Sequence, residues 1–426
     1  MKKRTQTPHY RKPGHWQLSK ILLASIFCQS YAYSETLSLP QVLNLLEANN
    51  PSIAHAKARQ ESAQAAWVTA KAYPNPELEI GGGTSTGLGP GALSGSNQQI
   101  VVAQPLDLPF VREARRKIAE AGIASADEAN RYTWLIVRSQ TKLAYYEILR
   151  RQAELQVSKD NEQLLMQIRD KIRLKVSVGE APRYEQVKSE AEALNALKLR
   201  ESAETRVDDA KSALRMMFGP AIPHQFNAQG DLPAPPSHLP NLENLREEVL
   251  GKQPVLQQFR ADAQKALAKI KYEENLRYPQ PTLKMGAQSD PGLEQWQVNI
   301  VLPLPVWNQR QGPIAEAAAE HRQSEALVNQ QEYAVVRELE NAYNRYRIAH
   351  RQVETFDAGL LKEAETVLKV AEAAYKLGER SILDYLDAQR TYRTVRNDYL
   401  NARFDRQAAL IDLERLRATD LENLKL

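Results

Sequence analysis

Apolar residues recur along most of the chain at spacings of four and seven, as in Ile148 and Leu155, in Leu164, Ile168 and Ile172, and in Val367, Val370 and Ala374, with charges between them. This is helical periodicity with coiled-coil character. No proline occurs from Val111 to Ala181 or anywhere after Pro313, and the interior glycines ahead of Gly179 and Gly378 are Gly122 and Gly359. At 1.5 Å per residue, helices over Val111–Val178 and Ile314–Leu377 would each be on the order of 100 Å long. Gly179 and Gly378 permit left-handed backbone angles and hence tight reversals into return helices, Pro182–Phe218 and Ser381–Ala418. A hairpin this thin cannot bury both faces, so it must pack against copies of itself or a partner.

Elsewhere the period changes from helical to alternating. Helices of moderate length, about Pro40–Ala72 and about Leu242–Arg277, end at Tyr73-Pro74-Asn75-Pro76 and Tyr278-Pro279-Gln280-Pro281, because proline drives the preceding residue out of the α region. Beyond the second of these, Leu283, Met285 and Ala287 alternate with Lys284, Gly286 and Gln288, and Trp296, Val298, Ile300 and Leu302 alternate with Gln295, Gln297, Asn299 and Val301. Such alternation marks strands with one apolar face. Leu78 and Ile80, then Ile100 and Val102, play the same part in the first half, weakened by Gly81–Gly83. Trp296, Val298 and Ile300 are accordingly assigned to lipid. Four strands cannot close a transmembrane barrel, for which about eight is the minimum. The chain must therefore oligomerise, and strand counting alone leaves two and three copies open.

The two halves are a duplication. Asn50-Pro51 recurs as Gln253-Pro254, the Tyr-Pro-x-Pro motif recurs, Pro105-Leu106 recurs as Pro303-Leu304, and Gly179-Glu180 as Gly378-Glu379, at offsets of 203, 205, 198 and 199. Gly219–Pro240 is too proline-dense to be helical and joins the halves. The predicted organisation is a leader over 1–34, a first unit over 35–220, a linker over 221–240 and a second unit over 241–426.

Charge and composition narrow the function. Residues 1–20 carry six basic and no acidic side chains and precede a short apolar run, Ile21–Cys28, which reads as a secretory signal peptide cleaved after Ser34. Of the 56 Lys and Arg residues, 50 remain beyond the leader against 52 acids, so no nucleic-acid partner is indicated. Cys28 is the single cysteine, and Phe27 before it argues against lipidation. No later stretch is apolar enough for a membrane helix, so any insertion uses strands. His55, His224, His238, His321 and His350 form no pair at ligand spacing. Neither a nucleophile elbow nor a phosphate-binding glycine loop is present, so no enzyme activity, cofactor or metal site is expected.

The duplicated order of helix, strand pair, long helix and return helix, with Tyr-Pro-x-Pro before the strands, Pro-Leu after them and Gly378-x-x-x-x-x-Asp384 at the second tip, resembles the TolC family of outer-membrane efflux proteins. The likeness covers Glu35–Ala418. The Tyr73-Pro74-Asn75-Pro76-Glu77-Leu78 segment is most similar to the heavy-metal branch typified by CzcC. Membership implies a mainly α chain with a membrane β part, forming a homotrimer with a 12-stranded barrel in the outer membrane and a periplasmic tunnel of helices. It also implies a periplasmic adaptor, an inner-membrane pump of the RND type, and heavy-metal cargo; organic drugs or other exported molecules are the alternative.

By the same resemblance Asp384 and Asp387 form acidic rings at the tunnel entrance, and Tyr375 and Arg380 hold it shut against Glu185. Val178, Gly179, Leu377, Gly378 and Ser381 then meet the adaptor. A competing local reading of Ser381-x-x-Asp384 is a capping box. The competing reading of the whole chain, a periplasmic adaptor, would have one helical hairpin and not two, each preceded by a strand pair.

Overall fold

The computed structural model of the chain describes residues 35–234 and 239–419; the predicted leader lies outside them, as does His238. The first half runs β1 (Glu35–Leu37), α1 (Leu39–Asn49), α2 (Pro51–Lys71), β2 (Glu77–Ser85), β3 (Gly95–Pro105), α3 (Pro109–Ser177) and α4 (Arg183–Met216). A short 3-10 turn, Gly219–Ala221, and β4 (Phe226–Ala228) lead to the second half. There the order is α5 (Leu242–Lys252), α6 (Pro254–Asn275), β5 (Thr282–Asp290), β6 (Leu293–Val301), α7 (Gln311–Thr355), α8 (Leu361–Lys376) and α9 (Ile382–Arg417).

Three expectations need correction. The moderate helices are each broken in two, at Asn50 and Gln253, whose ψ angles of 121° and 118° are extended because Pro51 and Pro254 follow. Asn50 turns the break into a cap: its Oδ1 accepts from the amides of Ser52 (2.9 Å) and Ile53 (3.3 Å), and its Nδ2 donates to the Met217 carbonyl. The second long helix is interrupted by a π-turn over Phe356–Leu360, where Gly359 adopts φ 152°, whereas α3 runs unbroken for 69 residues through Gly122. The described residues hold six strands, not four: β1 and β4 form a separate two-stranded parallel sheet. The proline-rich linker therefore contributes a strand.

That small sheet is seated by one side chain. The Tyr145 hydroxyl on α3 lies 2.8 Å from the Leu37 carbonyl and 2.7 Å from that of Gln229, and it accepts the Gln229 amide at 3.1 Å. Around it Val42, Leu46, Leu135, Ile148, Leu214, Phe218 and Phe226 form the largest apolar core, midway along the helices. A second core joins α5, α6, α7 and α9 through Leu245, Leu256, Leu339 and Leu413. A third, built from Leu165, Ile168, Ile172, Ile382, Tyr385 and Leu386, ties the two long hairpins together towards their tips.

The remaining strands form one antiparallel sheet in the order β2-β3-β5-β6. Its register aligns the alternation across all four strands. Leu78, Val102, Met285 and Val298 make one cross-strand row, and Ile80, Ile100, Ala287 and Trp296 the next. The opposite face carries Glu79, Gln99, Gln288, Gln297 and Asn299, with Lys284 3.7 Å from Glu79. Gly286 lets β3 and β5 approach, since a Cβ there would lie 2.7 Å from the Ile100 carbonyl oxygen. The free edges are β2 and β6.

Candidate channel entrance and lipid-facing sheet

The two hairpin tips have the same backbone. At the first, Gly179 takes φ 81°, the Glu180 amide donates to the Lys175 carbonyl (2.8 Å) and the Gly179 amide to that of Val176 (3.1 Å). At the second, Gly378 takes φ 75°, Glu379 donates to Ala374 (3.0 Å) and Gly378 to Tyr375 (3.1 Å). This pairing satisfies the last helical carbonyls and demands a left-handed residue, which glycine supplies without steric cost. Val178 and Leu377 beside the glycines are exposed.

After the second tip Ser381 caps α9. Its hydroxyl accepts the Asp384 amide at 3.4 Å, and Asp384 Oδ2 accepts from the Ser381 amide (3.3 Å) and hydroxyl (3.2 Å). The capping box read from the sequence is therefore formed, and Asp384 has a structural role regardless of any other. Asp384 and Asp387 share the exposed face of α9, while Ile382, Tyr385, Leu386 and Gln389 are buried on the other.

Tyr375 packs inside the junction of the hairpins, its ring 6.0 Å from that of Tyr385 and nearly parallel, with the Lys175 ammonium 5.1 Å from its centroid. Its hydroxyl is buried and bonded to no described protein group. Burial, with a smaller push from the Glu185 carboxylate, raises its pKa, and burial takes Tyr385 up to about 12. Both rings are neutral at physiological pH. Glu185 sits in the first turn of α4, close enough to Tyr375 to act on its charge. Arg380 is exposed, and its guanidinium has no ion-pair partner among the described residues.

The structure adds links between the hairpins that sequence reasoning missed. Gln389 on α9 donates to Asn161 on α3 at 3.1 Å, although the two residues are only 6% and 3% exposed. The side-chain amide nitrogen of Asn161 and the side-chain carbonyl oxygen of Gln389 have no partner among the described residues. Arg390 pairs with Glu192 at 2.9 Å, and Arg396 with Asp160 at 3.4 Å. The signal for Asn161 was present: Val157, Asn161, Leu165, Ile168 and Ile172 are one seam, and the polar residue interrupts it.

On the sheet, Trp296, Val298 and Ile300 lie on one face and are 86%, 66% and 69% exposed. Leu78, Ile80, Ile100, Val102 and Met285 extend the same apolar surface across the other strands. An exposed apolar face of this extent marks a membrane or protein contact. No described helix is long and apolar enough to cross a membrane. Nor does any described group of three or more His, Cys, Asp or Glu side chains have the arrangement of a metal site.

These features, a duplicated pair of long hairpins hung from an unclosed amphipathic sheet, coincide with a family model described as outer membrane efflux protein, which matches residues 42–220 and 245–419. The chain belongs to that family. As an outer membrane efflux protein it is a passive conduit and not an enzyme, and it resides in the Gram-negative outer membrane with its helices extending through the periplasm. It is 26% identical over 385 residues to the cobalt-zinc-cadmium resistance protein CzcC of Cupriavidus metallidurans, spanning 89% of this chain and 90% of that one. In fold it is similar to the outer-membrane channel OprN, at a TM-score of 0.78 and 16% identity over 96% of this chain and 98% of that one. The CmeC outer membrane channel of Campylobacter jejuni superposes at a TM-score of 0.77 and 14% identity over 89% and 85%.

Proposed function

We propose that this protein is the exit duct of a tripartite efflux pump, with three copies closing a 12-stranded barrel above a tunnel of helices. The observation that carries this reading is the four-stranded sheet itself: it has two free edges, one apolar exposed face and one amide-rich polar face. Joining β6 of each copy to β2 of the next removes the unpaired edges, turns the apolar face to lipid and the polar face to a water-filled lumen. The hairpin tips, with exposed Val178 and Leu377 beside Gly179, Gly378 and Ser381, receive a periplasmic adaptor. Asp384 and Asp387 from the copies form a ring of carboxylates at the entrance, which favours cations at a constriction. Tyr375 and Arg380 act with Glu185 to hold that entrance closed.

The duct passes whatever its inner-membrane transporter delivers. A lumen lined by amides offers no enclosed pocket to choose one cargo, so selection resides in the transporter. Organic compounds and other exported molecules are therefore within its range. A second reading, export of heavy-metal cations by an RND pump, is favoured by the likeness to CzcC along nine-tenths of the chain. Deleting the gene and challenging cells with dyes, detergents and antibiotics on one side, and zinc, cadmium, cobalt, copper and nickel on the other, separates the two. Sensitisation to organic compounds supports the general duct; sensitisation to metals alone supports the second reading. Unchanged sensitivity to every compound, in cells lacking any second duct of the family, would reject the efflux role.

A further inference from the structure

At the foot of the sheet, the two junctions between helix and strand repeat one combination of aromatic and basic side chains. In the first, the Arg112 guanidinium lies 4.2 Å from the centroid of the exposed Tyr73 ring, and the Lys71 ammonium 3.4 Å from that of Trp67. In the second, the exposed Tyr278 meets Phe110 edge-on at 5.3 Å, and Trp307, in the segment leaving β6, is 91% exposed. A recess of about 490 Å3 opens here between the end of α6 and that segment, with Lys271, Glu274, Arg277, Tyr278 and Gln309 on its walls. Lys271 is paired with Glu274 at 3.1 Å. The guanidinium of Arg277 is exposed and has no ion-pair partner among the described residues.

The signs of these groups fix the kind of ligand. Two cations face one carboxylate, so the recess is net positive. The C-terminal end of α6 adds about half a negative charge, which is too little to reverse that sign. Arg112 and Lys71 are committed to aromatic faces, whereas Arg277 is available for a bidentate bond to a phosphodiester. Tyr278 and Gln309 add hydroxyl and amide donors for the remaining oxygens. Tyr278 stands four residues ahead of β5, whose Leu283 pairs with Ile300 in the row of the apolar band nearest the helices. Aromatic residues at such a boundary mark the level where acyl chains give way to headgroups.

We propose that this recess binds the headgroup of an anionic glycerophospholipid in the leaflet facing the periplasm, one per chain, with Arg277 as its principal phosphate ligand. The site rests on the reading of the sheet's apolar face as lipid-facing. Trp307 and Tyr278 border the upper part of the lipid, and Lys271 and Arg277 supply the charge preference.

Delipidated oligomer titrated with phosphatidylglycerol or phosphatidylcholine of identical acyl chains, and observed by native mass spectrometry, tests it. Phosphatidylglycerol is expected to be retained in preference, saturating at one molecule per chain. Arg277→Gln should weaken that retention about fivefold and Lys271→Gln by a comparable or smaller factor, with Arg277→Lys intermediate. Equal retention of the two lipids by the unmodified protein overturns the site whether or not the variants assemble. Undiminished phosphatidylglycerol retention in a properly assembled Arg277→Gln, Lys271→Gln variant overturns it too. Recovery of the unmodified chain in the soluble periplasmic fraction would overturn the lipid-facing reading itself, whereas membrane insertion without headgroup preference overturns this site alone.

Discussion

Asp384 caps the helix, and the proposed entrance asks the same side chain for a second role in the pore. Its carboxylate closes the capping box with Ser381, while Asp387, one turn on, makes no such bond among the described residues. The two roles have different chemical requirements. Capping needs an oxygen at that place, which an amide also offers, whereas attraction of cations needs net charge. The double substitution Asp384→Asn, Asp387→Asn should therefore change stability by under about 1 kcal/mol. In planar bilayers the same variant should lose cation preference and block by multivalent cations. Ion selectivity equal to that of the unmodified protein would leave Asp384 with its capping role alone.

Among the elements, the sheet makes the sharpest statement, because a register shift of one residue would exchange its faces. Val298 pairs with Met285 on the apolar face and Gln297 with Gly286 on the polar one. Val298→Arg should cost about 2 to 4 kcal/mol of barrel stability if buried at the middle of the bilayer, while Gln297→Arg should be tolerated in the lumen. Refolding into lipid vesicles followed by urea titration measures both, and equal tolerance would contradict the assignment of faces. The strand alternation was legible over Leu283–Gln288 and Gln295–Ile300 because the larger apolar residues keep a period of two there. The break at Asn50 was equally written, in Pro51, yet it is easily passed over inside a strong helical pattern. Gly359 differs: Gly122 lies in an uninterrupted helix and Gly359 in a π-turn, and only the packing against α9, where Asp357 accepts from the Tyr399 hydroxyl at 2.9 Å, distinguishes them.

For the whole molecule, the exposed edges of β2 and β6 and the bare apolar face cannot persist in water, and one chain cannot cover them. The protein extracted in mild detergent should run at about three times the chain mass by light scattering, corrected for bound detergent, and should dissociate on heating. A monodisperse single chain, or a dimer, would refute the 12-stranded closure. The links between hairpins bear on the same assembly. The buried Asn161–Gln389 bond and the Glu192–Arg390 pair tie α9 to the first hairpin, so the two hairpins of one chain are registered against each other near their tips.

The sequence by itself determined the order of the long helices, the hairpin tips and the four strands of the amphipathic sheet. Helix length follows from proline-free heptad spacing, reversal from glycine at the tips, and strand faces from the period of two, all of which are local properties. Tertiary structure decided what local properties cannot encode. The strand over Phe226–Ala228 exists because it pairs with Glu35–Leu37, nearly two hundred residues away, and because Tyr145 is there to hold both. Tyr375 is likewise a heptad residue by spacing; only the meeting of two hairpins buries its hydroxyl and brings Glu185 near enough to act on it. Pairing partners and burial depend on which distant segments meet, and that is settled by the packing of the whole chain.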